Sequence, residues 1–303
     1  MKLISLRSFV TITLCAGLIV ASLCPTGIMA ADTEKAKESY NEALKSQQAG
    51  KADDAILAYK ATIAFDPGYV DAYINLGAIY FEKKDYQNAL LQYRTATEKD
   101  KSNATAFANL GRVESALKKY VEAEAALKTA LSIDGKNADL YKELGKVYFY
   151  KNSYTELIET LKKCHELGAS DQLTWFMLGK GYMKEEQFAP AVEAFNKSIS
   201  LEAKNYQAYF ALGQIYQTQE KYDMAASSYR KAHTANPKKH LAMYNYAIAV
   251  ESANPEDFAK RIAAWEEFVR TAKNDPLAKK DMAFAEDHLK ELRDGKKAAD
   301  ANQ

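Results

Sequence analysis

The sequence predicts an all-α fold, a solenoid of about seven helix-turn-helix pairs stacked in a row and ended by a capping helix. Three observations carry this. The chain matches itself when Gly77 is laid on Gly111, and the match runs from about Ala36 to Lys239 without an insertion, so the step between those glycines is a period. Within each period a Leu-Gly pair recurs at fixed distances from an aromatic and a small residue. Inside each half-period apolar residues fall at i, i+3, i+4 and i+7, the spacing of amphipathic helices, here called A and B.

Taken in chain order, the first segment does not belong to the repeats. Lys2 and Arg7 precede an uncharged apolar run, Phe9 to Leu23, and the small-residue exit Ile28-Met29-Ala30 follows. That order predicts a secretory signal peptide over residues 1–30, cut near Ala30, and an exported, periplasmic or secreted protein. An uncleaved anchor is the other reading, although the run is short for a membrane span of about 20 residues. A lipoprotein cut at Cys24 is a third, against which Leu23 stands where a small residue is wanted. Removing residues 1–30 takes out Lys2 and Arg7 and no acid, leaving 39 basic against 40 acidic residues. A chain so balanced lacks the basic excess that nucleic acid demands. The same cut leaves Cys164 as the one cysteine, so packing rather than a disulfide must hold the fold.

After a short segment, 31–35, the periods run 36–69, 70–103, 104–137, 138–171, 172–205 and 206–239, with a degenerate seventh over 240–276. The glycines are Gly77, Gly111, Gly145, Gly179 and Gly213, each preceded by leucine and, three residues earlier, by an aromatic. Ala89, Ala123, Leu157, Ala191 and Ala225 follow twelve residues after the glycines, and Tyr93, Leu127, Leu161, Phe195 and Tyr229 four later still. The missing or small side chains predict close crossing of A over B. The ends depart from the pattern, as stacked repeats require, because a terminal pair has a neighbour on one side only. Period one has Glu42-Ala43 in place of Leu-Gly, and period seven has Tyr246-Ala247 with about five extra residues near Ser252 to Asp257. Leu277 to about Arg293 is the expected cap of the final segment, 277–303, with fraying from Gly295.

Aromatic, Leu-Gly, Tyr, Ala, aromatic, Ala and Pro, in this order over a period of about 34 residues, resembles the tetratricopeptide repeat. The resemblance covers nearly all of the chain after residue 35. It implies a right-handed superhelix and a non-catalytic scaffold that holds protein or extended peptide in a concave groove lined by the A helices.

The residues offer little chemistry against that expectation. His165, His233, His240 and His288 lack metal-ligand spacing, and Cys164 and His165 diverge by about 100° as helix neighbours. No phosphate-loop, dinucleotide, zincin or nucleophile-elbow string occurs. The expectation is no enzyme, no cofactor and no metal.

On the implied groove two columns stand out. Asn41, Asn75 and Asn109 lie one period apart and Asn245 recovers the position, a stack of amides able to hold peptide backbone. It resembles the asparagine ladder of O-linked N-acetylglucosamine transferases at those positions only. Arg112, Lys146 and Lys180, with Lys142 nearby, form a basic stripe suited to acidic side chains. Phe81, Phe149, Phe176, Met183, Phe210 and Tyr244 are expected to face inward around it, or else to be covered as core. The lysine-arginine clamp of chaperone-binding members is absent, since Tyr40, Leu44, Thr105 and Asn109 occupy its register. The partner expected is a protein or extended peptide of acidic character, with an envelope complex as the setting and no span in the mature chain. The alternative is a small ligand or cell-wall fragment held by the aromatics.

Overall fold

A computed structural model describes residues 26–301, with side chains from Asp32 onward. Residues 1–25, which hold most of the predicted leader, lie outside the described residues. The described chain is helical throughout, with fifteen α-helices, one 3-10 turn and no strand. It divides into two compact units, residues up to 72 and residues from 73 on.

In the first unit α1 (Thr26–Gln48) packs along α2 (Ala52–Phe65). Ala36, Ala43 and Ala55 are fully buried where the two cross, so Ala43 fills the slot that glycine takes elsewhere. Tyr40 lies against the rings of Tyr59 at 5.7 Å and Tyr69 at 4.8 Å. The hydroxyl of buried Tyr59 donates to Gln47 Oε1 at 2.7 Å, so the aromatic is buried without orphaning its polar end.

The second unit takes in α3 (Val70–Glu82) from Tyr73 on, followed by α4 (Tyr86–Lys99), α5 (Ala104–Ala116), α6 (Tyr120–Ile133), α7 (Ala138–Lys151) and α8 (Tyr154–Glu166). Then come α9 (Gln172–Lys184), α10 (Phe188–Leu201), α11 (Tyr206–Thr218), α12 (Tyr222–Ala235), α13 (Leu241–Ala253) and α14 (Phe258–Ala272). The odd-numbered helices are A and the even-numbered are B. A 3-10 turn, Pro276–Ala278, leads into α15 (Lys279–Ala301). From α4 to α15 each helix packs on the one that follows it.

The recurring glycines are where the chains come closest. A Cβ on Gly77, Gly111, Gly145, Gly179 or Gly213 would stand 2.5–2.8 Å from the side chain sixteen residues on, which is Tyr93, Leu127, Leu161, Phe195 or Tyr229. Those large side chains are at most 3% exposed. The knob is therefore a large residue of B and the hole is the bare backbone of A, an arrangement that leaves little free volume.

Two kinds of turn alternate between the helices. The A helices from α1 to α11 each end on a left-handed residue: Lys84, Lys118, Asn152, Glu186 and Glu220, with φ of 56–61°, and Gly50 at 71° in the first unit. The next amide bonds back to a carbonyl inside the helix, as in Asp85 N to Tyr80 O (2.8 Å) and Lys221 N to Tyr216 O (2.8 Å), which satisfies carbonyls the helix end would orphan. B-to-A turns use side-chain caps instead. Asn103, Asp171 and Asn205 accept from the backbone N–H three residues on, at 2.8–3.1 Å.

The last pair departs as expected, and α15 covers it. The extra residues of period seven are taken up by the turn Asn254–Asp257 and the first turn of α14, capped by Asp257 Oδ1 accepting from Lys260 N at 3.0 Å. The expectation of fraying from Gly295 is not met. The helix runs to Ala301, and Gly295 is half-buried against the Phe258 ring, where a Cβ would stand 3.0 Å from Cε1.

Candidate functional site

Within the second unit the A helices touch their A neighbours directly: α5 with α7, α7 with α9, α9 with α11. Among the described residues no two B helices meet to that extent. The A face is thus the more tightly gathered side of this unit, and its side chains converge. A cleft of about 170 Å³ opens between α5 and α7, lined by Ala108, Asn109, Arg112, Asn137 and Asp139.

The basic column is assembled there, but it is partly neutralised. Arg112 Nε lies 3.7 Å from Glu143 Oε1, and Lys146 Nζ lies 3.0 Å from the same oxygen, so two cations share one carboxylate. Lys142 pairs with Asp171, whose carboxyl also caps α9. Burial works against ionisation of Asp171, yet the hydrogen bonds from Lys142 and Thr174 outweigh it and hold the carboxyl below the usual range. Lys180 differs. It is half-buried on α9 and among the described residues has no acidic partner, and burial, with Lys184 nearby, pulls its ammonium pKa down. A cation so placed gains by meeting an incoming carboxylate.

The asparagine column is not continuous. In the second unit Asn75 and Asn109 are half-buried, and Glu143 takes the next position. Asn109 Oδ1 faces Arg112 Nη1 at 3.5 Å, and Asn245 Nδ2 donates to Leu241 O of its own helix at 2.8 Å. Asn41 is exposed in the first unit.

The open aromatic lining is corrected by the structure. Phe176 lies against Phe195 at 5.8 Å, Phe210 against Tyr229 at 5.3 Å, and Tyr244 against Trp265 and Phe268 at 5.5 and 5.4 Å. Phe81 leans on Tyr86, while Phe149 and Met183 are half-buried against the core clusters. Phe81, Phe176, Phe210 and Tyr244 thus lean on the B helix of their own pair, and all six are half-buried. The large apolar side chains that the A helices do leave open are others, Leu173 at 41%, Leu241 at 45% and, at the end of α7, Tyr150 at 58% exposed. Sequence reading missed them together with Glu143 and Asp171. The signal was present, since Leu173 and Leu241 share one column two periods apart and Glu143 stands one period after Asn109.

The other candidate groups are packed. Cys164 is fully buried, its Sγ donating to Ala169 O at 2.8 Å, and burial pushes the thiol up to about 11. His165 lies 4.0 Å from the Trp175 ring, with Nε2 buried and unpartnered, and burial lowers its pKa. No group of residues with metal-binding geometry occurs among the described residues, and none of their helices is long and apolar enough to cross a membrane.

Sequence models of the tetratricopeptide repeat match residues 47–84, 77–114, 104–137, 174–205 and 206–239, over half of the chain. The chain belongs to the tetratricopeptide-repeat family. The stretch between the matches, 138–173, forms the pair α7 and α8 all the same, with Leu157 in the alanine slot. Among solved structures, a tetratricopeptide-repeat protein from Cytophaga hutchinsonii is similar over 79% of this chain and 97% of its own, at 18% identity and a TM-score of 0.65. YrrB, described as a tetratricopeptide-repeat protein with an unusual peptide-binding site, is similar over 61% and 95%, at 24% identity and a TM-score of 0.53. MamA is similar over 56% and 93%, at 25% identity and a TM-score of 0.53. No curated protein matches the sequence.

Proposed function

We propose that this protein is a non-catalytic scaffold outside the cytoplasm that holds an acidic protein segment against its A-helix face. The observation that carries the reading is the unequal charge on that face. Arg112 and Lys146 divide one carboxylate between them, and half-buried Lys180 has no acidic partner among the described residues. A face with surplus cations on a chain of near-zero net charge selects partners by complementarity. The peptide-binding site named for YrrB supports a peptide as the ligand class. Export is supported by the order Lys2, Arg7, apolar run and Ile28-Met29-Ala30. The aromatic reading, a cell-wall fragment or other small ligand, loses its main support because those rings lean on their own B helices.

The test is fluorescence anisotropy with a labelled six-glutamate peptide and its six-glutamine counterpart. The glutamate peptide should bind, weaken with salt, and lose about tenfold or more in affinity when Lys180→Glu is introduced. Equal binding of the two peptides, or indifference to Lys180→Glu, would refute the reading.

A further inference from the structure

The B helices carry a second column of cations, one period apart: Arg94, Lys128, Lys162 and, beyond Asn196, Arg230. Three of them reach onto the helices that follow. Arg94 Nη2 lies 3.5 Å from Glu114 Oε1 of α5, and Lys128 Nζ stands 5.9 Å from the centre of the Tyr148 ring of α7. Arg230 lies 4.4 Å over the Tyr246 ring of α13 and bonds Glu267 of α14 at 2.9 Å. At the two positions between Lys128 and Arg230 the column breaks. Lys162 makes no ion pair with a described residue, since Ile158 stands where Glu124 holds Lys128, and Asn196 carries no charge.

Two cavities open there, of about 250 Å³ between α8 and α10 and about 310 Å³ between α10 and α12. They are the same crevice, one period apart. Trp175 and Tyr182 of α9 floor the first, Tyr209 and Tyr216 of α11 the second, all four half-buried and none of them among the A-face rings considered above. His165 flanks Trp175, and its buried Nε2 has no partner. Around the floors stand Lys162 and Glu193 in the first cavity and Asn196, Asp223, Ser227 and Lys231 in the second, none with a hydrogen bond or ion pair to another described residue. Glu166, also in the first, is taken by Lys163 at 2.9 Å. Each rim therefore holds both signs of charge, and neither selects a ligand by net charge. What the cavities select is a ring with a flat apolar face and an edge that both donates and accepts hydrogen bonds. A pyranose has that form, with C–H groups on its face and hydroxyls around its edge.

We propose that the crevices between α8, α10 and α12 form a saccharide site, with one sugar ring on Trp175 and Tyr182 and another ring of the same chain on Tyr209 and Tyr216. Each cavity lies at the small end of ligand pockets, which run to about 300–1,000 Å³, so each takes a ring-sized group and no more. Two like cavities at one register, a period apart, assign a flat, extended chain of β-linked sugars, whose joined rings gain from effective concentration. The site lies among the B helices, apart from Arg112, Lys146 and Lys180, and it stands or falls independently of the acidic-segment reading.

The experiment follows the tryptophan emission of the purified chain during titration with cellohexaose and chitohexaose, and with the disaccharide of each. Trp175 and Trp265 are the two tryptophans, and Trp265 is 1% exposed, so a change on binding reports Trp175. At least one hexasaccharide should shift the emission and bind about tenfold tighter than its disaccharide. Asn196→Arg puts the column's cation into the second cavity and should bring the hexasaccharide down to the affinity of the disaccharide. Glu193→Ala should weaken the hexasaccharide about tenfold. Asn196 and Glu193 are exposed, so both variants should melt as the parent does and bind the six-glutamate peptide as before. No emission change with either hexasaccharide at millimolar concentration, or a change that neither substitution diminishes, would overturn the proposal and leave the acidic-segment reading in place.

Discussion

The regular pairs from α3 to α12 and the end formed by α13, α14 and α15 bury similar kinds of residue, yet they are held differently. In the regular pairs a large B side chain fills the hollow over a glycine of A, and this apolar contact recurs in every period. At the end the glycine is gone. Ala247 takes its place in a buried apolar cluster with Trp265 and Phe268, and a polar cluster is added, in which Glu251 receives Arg261 Nε at 3.0 Å, Trp265 Nε1 at 2.9 Å and His288 Nε2 at 2.9 Å. His240 bridges Asp275 at 2.7 Å and Asp281 at 3.1 Å, fixing the turn before α15. A repeat can cover its apolar face with another repeat, but the last one needs a helix of a different kind. Directional bonds then choose which helix docks and where, and they make that docking sensitive to charge.

The largest expected effect is in the regular part. Phe195→Ala empties the hollow over Gly179 and should cost about 3–5 kcal/mol, seen as an early loss of α9 and α10 in thermal or urea melts. At the end, Glu251→Ala leaves half-buried Arg261 without its acid and His288 with the exposed Glu291 alone, and should cost about 2–3 kcal/mol, less than a fully buried pair would. Its effect should be local, with hydrogen exchange rising in α15 and not in α5 to α10.

The two regions should also answer pH with opposite signs. Burial opposes ionisation of Glu251, but the hydrogen bonds from Arg261, Trp265 and His288 outweigh it and hold its carboxyl below 4.5. Its contribution is therefore present above pH 4.5 and fades as pH falls through the folded value, so acid should release α15 first. Glu114 runs the other way. It is 3% exposed in a slot that holds tyrosine in four of the other pairs, and burial raises its pKa despite Arg94 at 3.5 Å. Its stabilising, protonated form is complete below pH 4.5 and is lost as pH rises through the folded value. Glu114→Gln should add about 1 kcal/mol at neutral pH and flatten this part of the profile, which melts at pH 4, 5 and 7 would reveal.

How much of this could be read from residues follows from the same contrast. The stacked pairs were legible because each contact recurs at a fixed spacing. The end was not, because Glu251 and His288 meet across 37 positions without any period to announce them. On the A face the cationic column was legible for the same reason, whereas Glu143 and Asp171, which neutralise much of it, belong to no basic column. The covered rings and Met183 misled because a column shows that residues share a face, not what the next helix lays over them. The left-handed residues were hidden too, since Lys84, Lys118, Glu186 and Glu220 are not the residues that φ near 60° favours. Glu186→Gly should add about 0.5–1 kcal/mol, the smallest effect expected, with Gly50→Ala losing a similar amount in the first unit.

The claim on which the functional account stands is that acids arrive at the A face. Zero-length carbodiimide coupling of the glutamate peptide to the protein, followed by peptide mapping, reads this directly. The account predicts amide links to Lys146 and Lys180 on α7 and α9. Links chiefly to Lys162, Lys163 and Lys197, on the B helices α8 and α10, would contradict it.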